Sequence, residues 1–206
     1  MALFLMTWIG QFLSGHLLEN DIRRQHGESI QTWIEYFFSG HFWQATGENW
    51  ESEFLQMAMF VVLTSFLFQK GSPESLDPDE KHCPVKEDPR DKPPGPHAPW
   101  PVKKGGIWLK IYLYSLSICF ALLFALSVVI HAWGGLKEYN EELTEHHQPS
   151  VSWIQYVGSS RFWFESMQNW QSEFLSLASM VWLSVYLRQY GSAESKRVSA
   201  SHSEHE

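Results

Sequence analysis

The chain has 206 residues, a formal net charge of −8 and 44% hydrophobic residues. That acidic balance excludes a phosphate-gripping nucleic-acid surface, and only two cysteines leave no disulfide framework or Cys-based metal site to build. A mean hydropathy of −0.24 is that of a soluble domain, but the polar residues crowd into a proline-rich middle and a charged tail, so composition is read segment by segment.

Met1 to Leu18 carries no formally charged side chain. It lacks a basic leading region and a small-x-small cleavage site, so it reads as a retained membrane span rather than a cleavable signal. After a polar excursion and an aromatic-rich stretch comes Phe54 to Phe68, only about 22 Å of uncharged helix and short of a crossing. Extended over Phe42 to Gln69 it contains no proline and reads as one long helix whose outer turns carry Asn, Trp and Glu. Gly71 to Gly106 holds nine of the ten prolines among charges of both signs, a composition that buries too little surface to fold and marks a linker. Ile111 to Ile130 is free of charge between Lys110 and His131, about 30 Å of helix and the thickness of a hydrocarbon core. Phe162 to Gln189 gives a second long helix, and from Ser192 onward the sequence reads as a disordered tail.

These segments are one unit written twice. Asn49-Trp50-Glu51-Ser52-Glu53-Phe54-Leu55 returns as Asn169-Trp170-Gln171-Ser172-Glu173-Phe174-Leu175, and Phe42-Trp43 as Phe162-Trp163, at a constant offset of 120. Trp33-Ile34 and Tyr36 return as Trp153-Ile154 and Tyr156, and Leu3-Phe4 falls on Leu123-Phe124. A gapless match of this length is a duplication. It predicts an all-α integral membrane four-helix protein, built from two tandem parallel two-helix repeats plus short interfacial helices. The expected domains are a first repeat over 1–70, a cytoplasmic linker over 71–106, a second repeat over 107–191 and a tail over 192–206. An even number of spans per unit makes the copies point the same way through the membrane.

Seven Lys and Arg lie between Gln69 and Gly106 and three from Arg188 onward, against two in each interhelix excursion. The positive-inside rule therefore places both termini in the cytoplasm of a cell (inner) membrane. The opposite face is acidic, with thirteen carboxylates and four basic residues over 19–53 and 134–173, a patch that gathers cations.

Asn49, Glu53, Gln56, Phe60 and Thr64 recur every three or four residues, and the second copy gives Asn169, Glu173, Ser176, Met180 and Ser184. That spacing puts each set on one helical face. A polar stripe in lipid turns toward protein, so the two are expected to line a polar pathway or ligand site with Glu53 and Glu173 as proton or cation ligands. The plainer reading has them hold helices together or sit at the headgroup level. His26 and His146 share a repeat position and are the metal candidates, with His41, His131 and His147 also near carboxylates. No spacing of the H-E-x-x-H kind accompanies them, and a solvated acidic loop explains them more simply.

Trp33, Trp43, Trp50, Trp153, Trp163 and Trp170, among further Tyr and Phe such as Tyr36, Phe42, Tyr156 and Phe162, fit a membrane–water interface, where an apolar ring and a polar edge are both satisfied. An aromatic cage for a cationic ligand is the alternative. No nucleotide loop, nucleophile elbow or His-Cys pair occurs, so neither an enzyme nor a cofactor is expected.

With the N-W-[EQ]-S-E-F-L motif, the Lys104-Gly105-Gly106 entry to the third span, the Tyr139-Asn140-Glu141-Glu142 stretch and the Gly-Ser-x-Glu-Ser span ends at Gly71 and Gly191 in view, the chain resembles an uncharacterised bacterial family of four-pass membrane proteins known only as a domain of unknown function. The resemblance covers nearly the whole chain. It implies membrane location and topology and brings no activity. The expectation is a multi-pass protein, partnered by the lipid bilayer and forming a homo-oligomer, that handles a cation or small solute through polar helix faces. The competing classes are a non-catalytic membrane scaffold or interaction protein and a metalloenzyme using the loop histidines.

Overall fold

The computed structural model describes residues 1–66, 94–192, 195, 198 and 199, and among these all regular structure is helical. Eight helices follow in order: α1 (Ala2–His26), α2 (Trp33–Phe37), α3 (Gly40–Phe66), α4 (Trp100–Lys104), α5 (Gly106–Leu113), α6 (Ser115–Glu145), α7 (Trp153–Val157) and α8 (Ser160–Tyr186). The duplication is visible in their bounds, since α7 and α8 begin and end 120 residues after α2 and α3.

Local chemistry sets the boundaries. α1 closes on Gly27, whose φ of 74° lets its N–H turn back to the Arg23 and Arg24 carbonyls, and the basic last turn of Arg23, Arg24 and His26 complements the helix dipole. α2 and α7 both start on capping boxes, Thr32 with Glu35 and Ser152 with Gln155. Ser39 and Ser159, one repeat apart, then accept from the N–H of Phe42 and Phe162 in the first turns of α3 and α8.

Two sequence expectations meet a different backbone. The charge-free stretch from Ile111 is interrupted at Tyr114, which leaves helical geometry between α5 and α6. The described end of the linker contains a helix, α4, where Lys104 lies 4.6 Å over Trp100 and 5.0 Å over Trp108; two aromatic faces give that cation a partner the composition did not reveal. Residues 67–93 and most of the tail lie outside the described residues.

Among the described residues, one helix, α6, is long and apolar enough to cross a membrane, and only 17% of its apolar window is buried. α1, α3 and α8 have 25, 27 and 27 residues.

The chain forms two compact units, Met1–Ser52 with Phe124–Asn169, and Glu53–Leu123 with Trp170–Glu206. Each unit draws on both repeats, because the long helices contribute to both. In the first unit an asparagine clamp appears twice. Asn20 Oδ1 accepts from the Gln31 N–H at 2.7 Å while its amide donates to the same residue's carbonyl at 2.9 Å. Asn140 does the same to Val151 at 2.7 and 3.1 Å. One side chain thus satisfies both backbone groups of the residue leading into α2 or α7.

Each clamp stands beside a glycine–tyrosine lock. A Cβ on Gly15 would lie 2.1 Å from the Tyr36 hydroxyl, and one on Gly135 2.0 Å from that of Tyr156. Only glycine leaves room for the two rings, which are 1% and 0% exposed. The backbones of α3 and α6 also meet directly. A Cβ at Gly47 would sit 2.3 Å from the His131 nitrogen, and one at Gly134 2.2 Å from that of Gln44.

In the second unit, Gln56 of α3 donates to the Glu173 carbonyl of α8 at 3.0 Å. Arg188 turns back onto the carbonyls of Ser184 and Val185 at 3.3 and 3.1 Å, capping the last turn of α8.

Candidate functional site

The first unit buries an ionisable cluster. α6 presents Ser127, His131, Gly134 and Gly135 on one buried face, and because the glycines let α3 approach backbone to backbone, the His131 ring is enclosed by side chains of α3 and α8. His131 is 0% exposed. Its Nδ1 lies 2.8 Å from Glu51 Oε2, and its Nε2 lies 3.4 Å from Glu165 Oε2. Phe162 covers the ring face at a centroid distance of 4.8 Å. Glu51 is itself 1% exposed.

Glu165 links this core to the more exposed Arg161 and Glu142. The Tyr156 hydroxyl donates to it at 3.3 Å, and Arg161 Nε donates at 3.2 Å. Arg161 also pairs with Glu142 at 2.5 Å and lies 4.9 Å over the Tyr139 ring. Burial, reinforced by the Glu165 charge, raises the Tyr156 hydroxyl above its ordinary value, so it stays a donor. Tyr36 is likewise pushed up to about 12, chiefly by burial. Glu48, one turn before Glu51, accepts from the Asn169 amide.

Gln44 extends the cluster on the α3 side. Its Oε1 is buried without a hydrogen-bond partner, as is Ser166 Oγ, which follows Glu165. The Gln44 carboxamide carbon and the Tyr156 hydroxyl both lie within contact of the Gly135 Cβ position, at 3.2 and 2.0 Å. The carboxylates Glu48, Glu51 and Glu165 face His131 and Arg161, so the assembly is short of positive charge unless it takes up a proton or another cation.

The residues singled out from the sequence fall as follows. Asn49 and Glu53 are exposed, and Asn49 donates to the Ala45 carbonyl of its own helix. Thr64 and Ser184 bond back to Phe60 and Val181 within their own helices, a way for a hydroxyl to satisfy itself in apolar surroundings. Ser176 is exposed, Glu173 half-buried, and Glu53 and Glu173 stand within electrostatic reach of each other. Gln56 meets the Glu173 backbone, and Asn169 joins Glu48. His26 and His146 are exposed, and no group of three His, Cys, Asp or Glu converges as a metal set among the described residues. Trp33, Trp153 and Trp163 are 46, 38 and 45% exposed; Trp43, Trp50 and Trp170 are half-buried. Tyr36, Phe42, Tyr156 and Phe162, which the sequence groups with the interfacial rings, are buried.

Glu51, Glu165 and Tyr156 were not among the sequence candidates for binding, and His131 was read as a loop histidine. The signal available was the repeat itself. Glu48 and Glu51 face Gln168 and Gln171 one repeat later, and His131 and Glu165 replace Gln11 and Ala45; the cluster sits where the copies trade neutral for charged.

A family model described as a domain of unknown function (DUF6766) matches residues 1–206. No curated protein and no solved structure matches the chain.

Proposed function

Because the chain belongs along its whole length to the DUF6766 family, a family defined without an activity, we propose a function from the buried cluster: a four-pass membrane protein that handles a cation at Glu51, His131 and Glu165. The observation that carries it is a fully enclosed histidine held between two carboxylates midway along α6, the one described helix long and apolar enough to cross a membrane. Ionisable groups at such depth are costly, and in membranes they mark ion and proton pathways.

The four-pass reading rests on an inverted distribution of polarity. Among the described residues eleven polar or charged side chains are buried against seven hydrophobic ones. Leu116, Leu122, Leu126 and Val129 of α6 are 53 to 66% exposed, and Leu3 and Leu17 of α1 are 73 and 59% exposed. A surface of that kind aggregates in water. In a bilayer the same arrangement is the favourable one, with apolar side chains outward and polar groups paired within. The linker and tail carry most of the Lys and Arg, which keeps both termini cytoplasmic, and Glu53 and Glu173 are the candidates of the second unit for the same cation.

Reconstitution into lipid vesicles tests this reading. The wild type is expected to take up protons or an alkali cation under an imposed gradient, and Glu51→Gln to reduce uptake at least tenfold. Unchanged uptake in the variant, or a chain that stays soluble without detergent, overturns it. The exposed Ile34, Ile154, Phe38 and Phe164, at 73, 83, 58 and 69%, favour a second reading as a docking scaffold. That reading gains from a wild type that moves no cation and loses a bound partner when Trp43 and Trp163 become Ala.

A further inference from the structure

Resting on the cation reading, we infer that the species handled is the proton, and that Glu165, His131 and Glu51 form a relay which loads one proton from the outer end of the first unit onto the buried Glu51 carboxylate.

The contacts at this position suit a proton better than a larger cation. Both ring nitrogens of His131 face carboxylate oxygens, at 2.8 and 3.4 Å. A nitrogen that ligates a metal has its lone pair committed and cannot also hydrogen-bond. Glu51 and His131 are 1 and 0% exposed, so an alkali ion would have to shed its water to reach them. A proton needs only the two nitrogen–oxygen contacts already present.

The steps balance. With His131 neutral and its proton on Nδ1, that N–H donates to Glu51 and bare Nε2 faces Glu165. Glu165 is the more accessible carboxylate, its side chain 19% exposed, and accepts a proton from water. It passes the proton to Nε2, becoming a carboxylate again, and His131 becomes an imidazolium. The Nδ1 proton then moves to Glu51 Oε2, leaving His131 neutral with its proton on Nε2. One proton has entered at Glu165 and one rests on Glu51, with the total charge of the three groups unchanged by the two internal transfers. The 3.4 Å side needs a small approach of Glu165 before transfer, so it is the gate, whereas the 2.8 Å side is already formed.

The surroundings supply the bias. Glu51 on α3 and Glu165 on α8 stand against the two ring nitrogens, Glu48 lies one turn from Glu51, and Arg161, bonded to both Glu165 and Glu142, holds Glu165 from α8. Tyr156 on α7 holds Glu165 in place.

The full-length chain in vesicles is the system to test, with two readouts. Nitrogen NMR of histidine-labelled protein, assigned against His131→Gln, reports exchange of the His131 ring protons with water; Glu165→Gln is expected to slow it at least tenfold and Glu165→Asp to recover part of the rate. Infrared difference spectra between high and low pH are expected to show a buried protonated carboxyl that Glu51→Gln removes. Unchanged exchange in Glu165→Gln, or a carboxyl band that survives Glu51→Gln, overturns the relay. Alkali-cation uptake that depends on Glu51 while exchange ignores Glu165 leaves the cation reading standing and sinks the relay. Both relay signatures with no uptake of any cation do the reverse.

Discussion

Gly135→Ala should destabilise the protein, although alanine is the better helix former. The added Cβ would stand 2.0 Å from the Tyr156 hydroxyl and 2.8 Å from the ring carbon that bears it, so the ring has to move. Moving it gives up the 3.3 Å bond to Glu165, about 1 kcal/mol, and overpacks a ring that is 0% exposed, about 1–3 kcal/mol. Alanine returns up to ~1 kcal/mol of helix propensity. The net loss is about 1–3 kcal/mol, which at this chain length lowers the midpoint of thermal unfolding by roughly 2–12 °C. Tryptophan fluorescence in detergent micelles reads it. Gly10→Ala is the control, since nothing lies within 4 Å of its Cβ position; it should be neutral or stabilising. A double-mutant cycle with Tyr156→Phe locates the cause. Removing the hydroxyl leaves a 2.8 Å contact at Gly135 but a 3.1 Å contact at Gly15, so Tyr36→Phe should rescue Gly15→Ala more fully than Tyr156→Phe rescues Gly135→Ala. A Gly135→Ala protein as stable as Gly10→Ala, or equal rescue in the two copies, refutes the lock.

Asn20→Ala and Asn140→Ala should each cost about 2–4 kcal/mol in the same assay, because one truncation removes two hydrogen bonds and orphans the partly buried N–H of Gln31 or Val151; losses under about 0.5 kcal/mol, the range of ordinary surface changes, count against the clamp. The two capping boxes should differ in pH response. The Thr32 N–H donates to Glu35 and, with the Thr32 side chain, holds its carboxyl below the ordinary 4.5, so its contribution is present above the unfolded value and fades as pH falls through the folded one. The second copy carries uncharged Gln155 in that place. Side-chain NMR through an acid titration should place the Glu35 midpoint under 4.5 and leave the Ser152 N–H unmoved; a midpoint at or above 4.5 contradicts the assignment.

The helix pairs were legible in the sequence because hydrophobic runs, proline placement and a repeat all act locally. The same locality explains what was missed. Spacing of three and four identified a face through Asn49, Glu53 and Gln56, but which face of α3 turns inward is decided by Gly47 and Gly134, whose missing side chains let α6 come close. That approach buries Thr46, Glu51 and Ser52 at 0 to 3% exposure and leaves Asn49 and Glu53 outward. A glycine inside a helix reads as a mild defect in a sequence; here it is the contact. The histidine was misplaced for a related reason. His131 follows Ile130 and looks like the start of a polar loop, yet α6 continues to Glu145, so its ring points at α3 and α8 rather than at water.

The two copies supply an internal control on whether the cluster's charge is used. Asn clamps, glycine–tyrosine locks and serine caps are kept in both repeats, as architecture requires. At the cluster the copies part: the positions of His131 and Glu165 are Gln11 and Ala45 in the first repeat, and those of Glu48 and Glu51 are Gln168 and Gln171 in the second. Gln168 and Gln171 are exposed, whereas Glu51 is 1% exposed, so only the first copy turns an ionisable group inward at that place. Enclosing an ionised carboxylate costs several kcal/mol more than enclosing an amide, and that penalty returns nothing to packing which the amide would not also give. Charge gathered on one side of a duplicated scaffold, around one histidine, is what a site that must change its protonation requires.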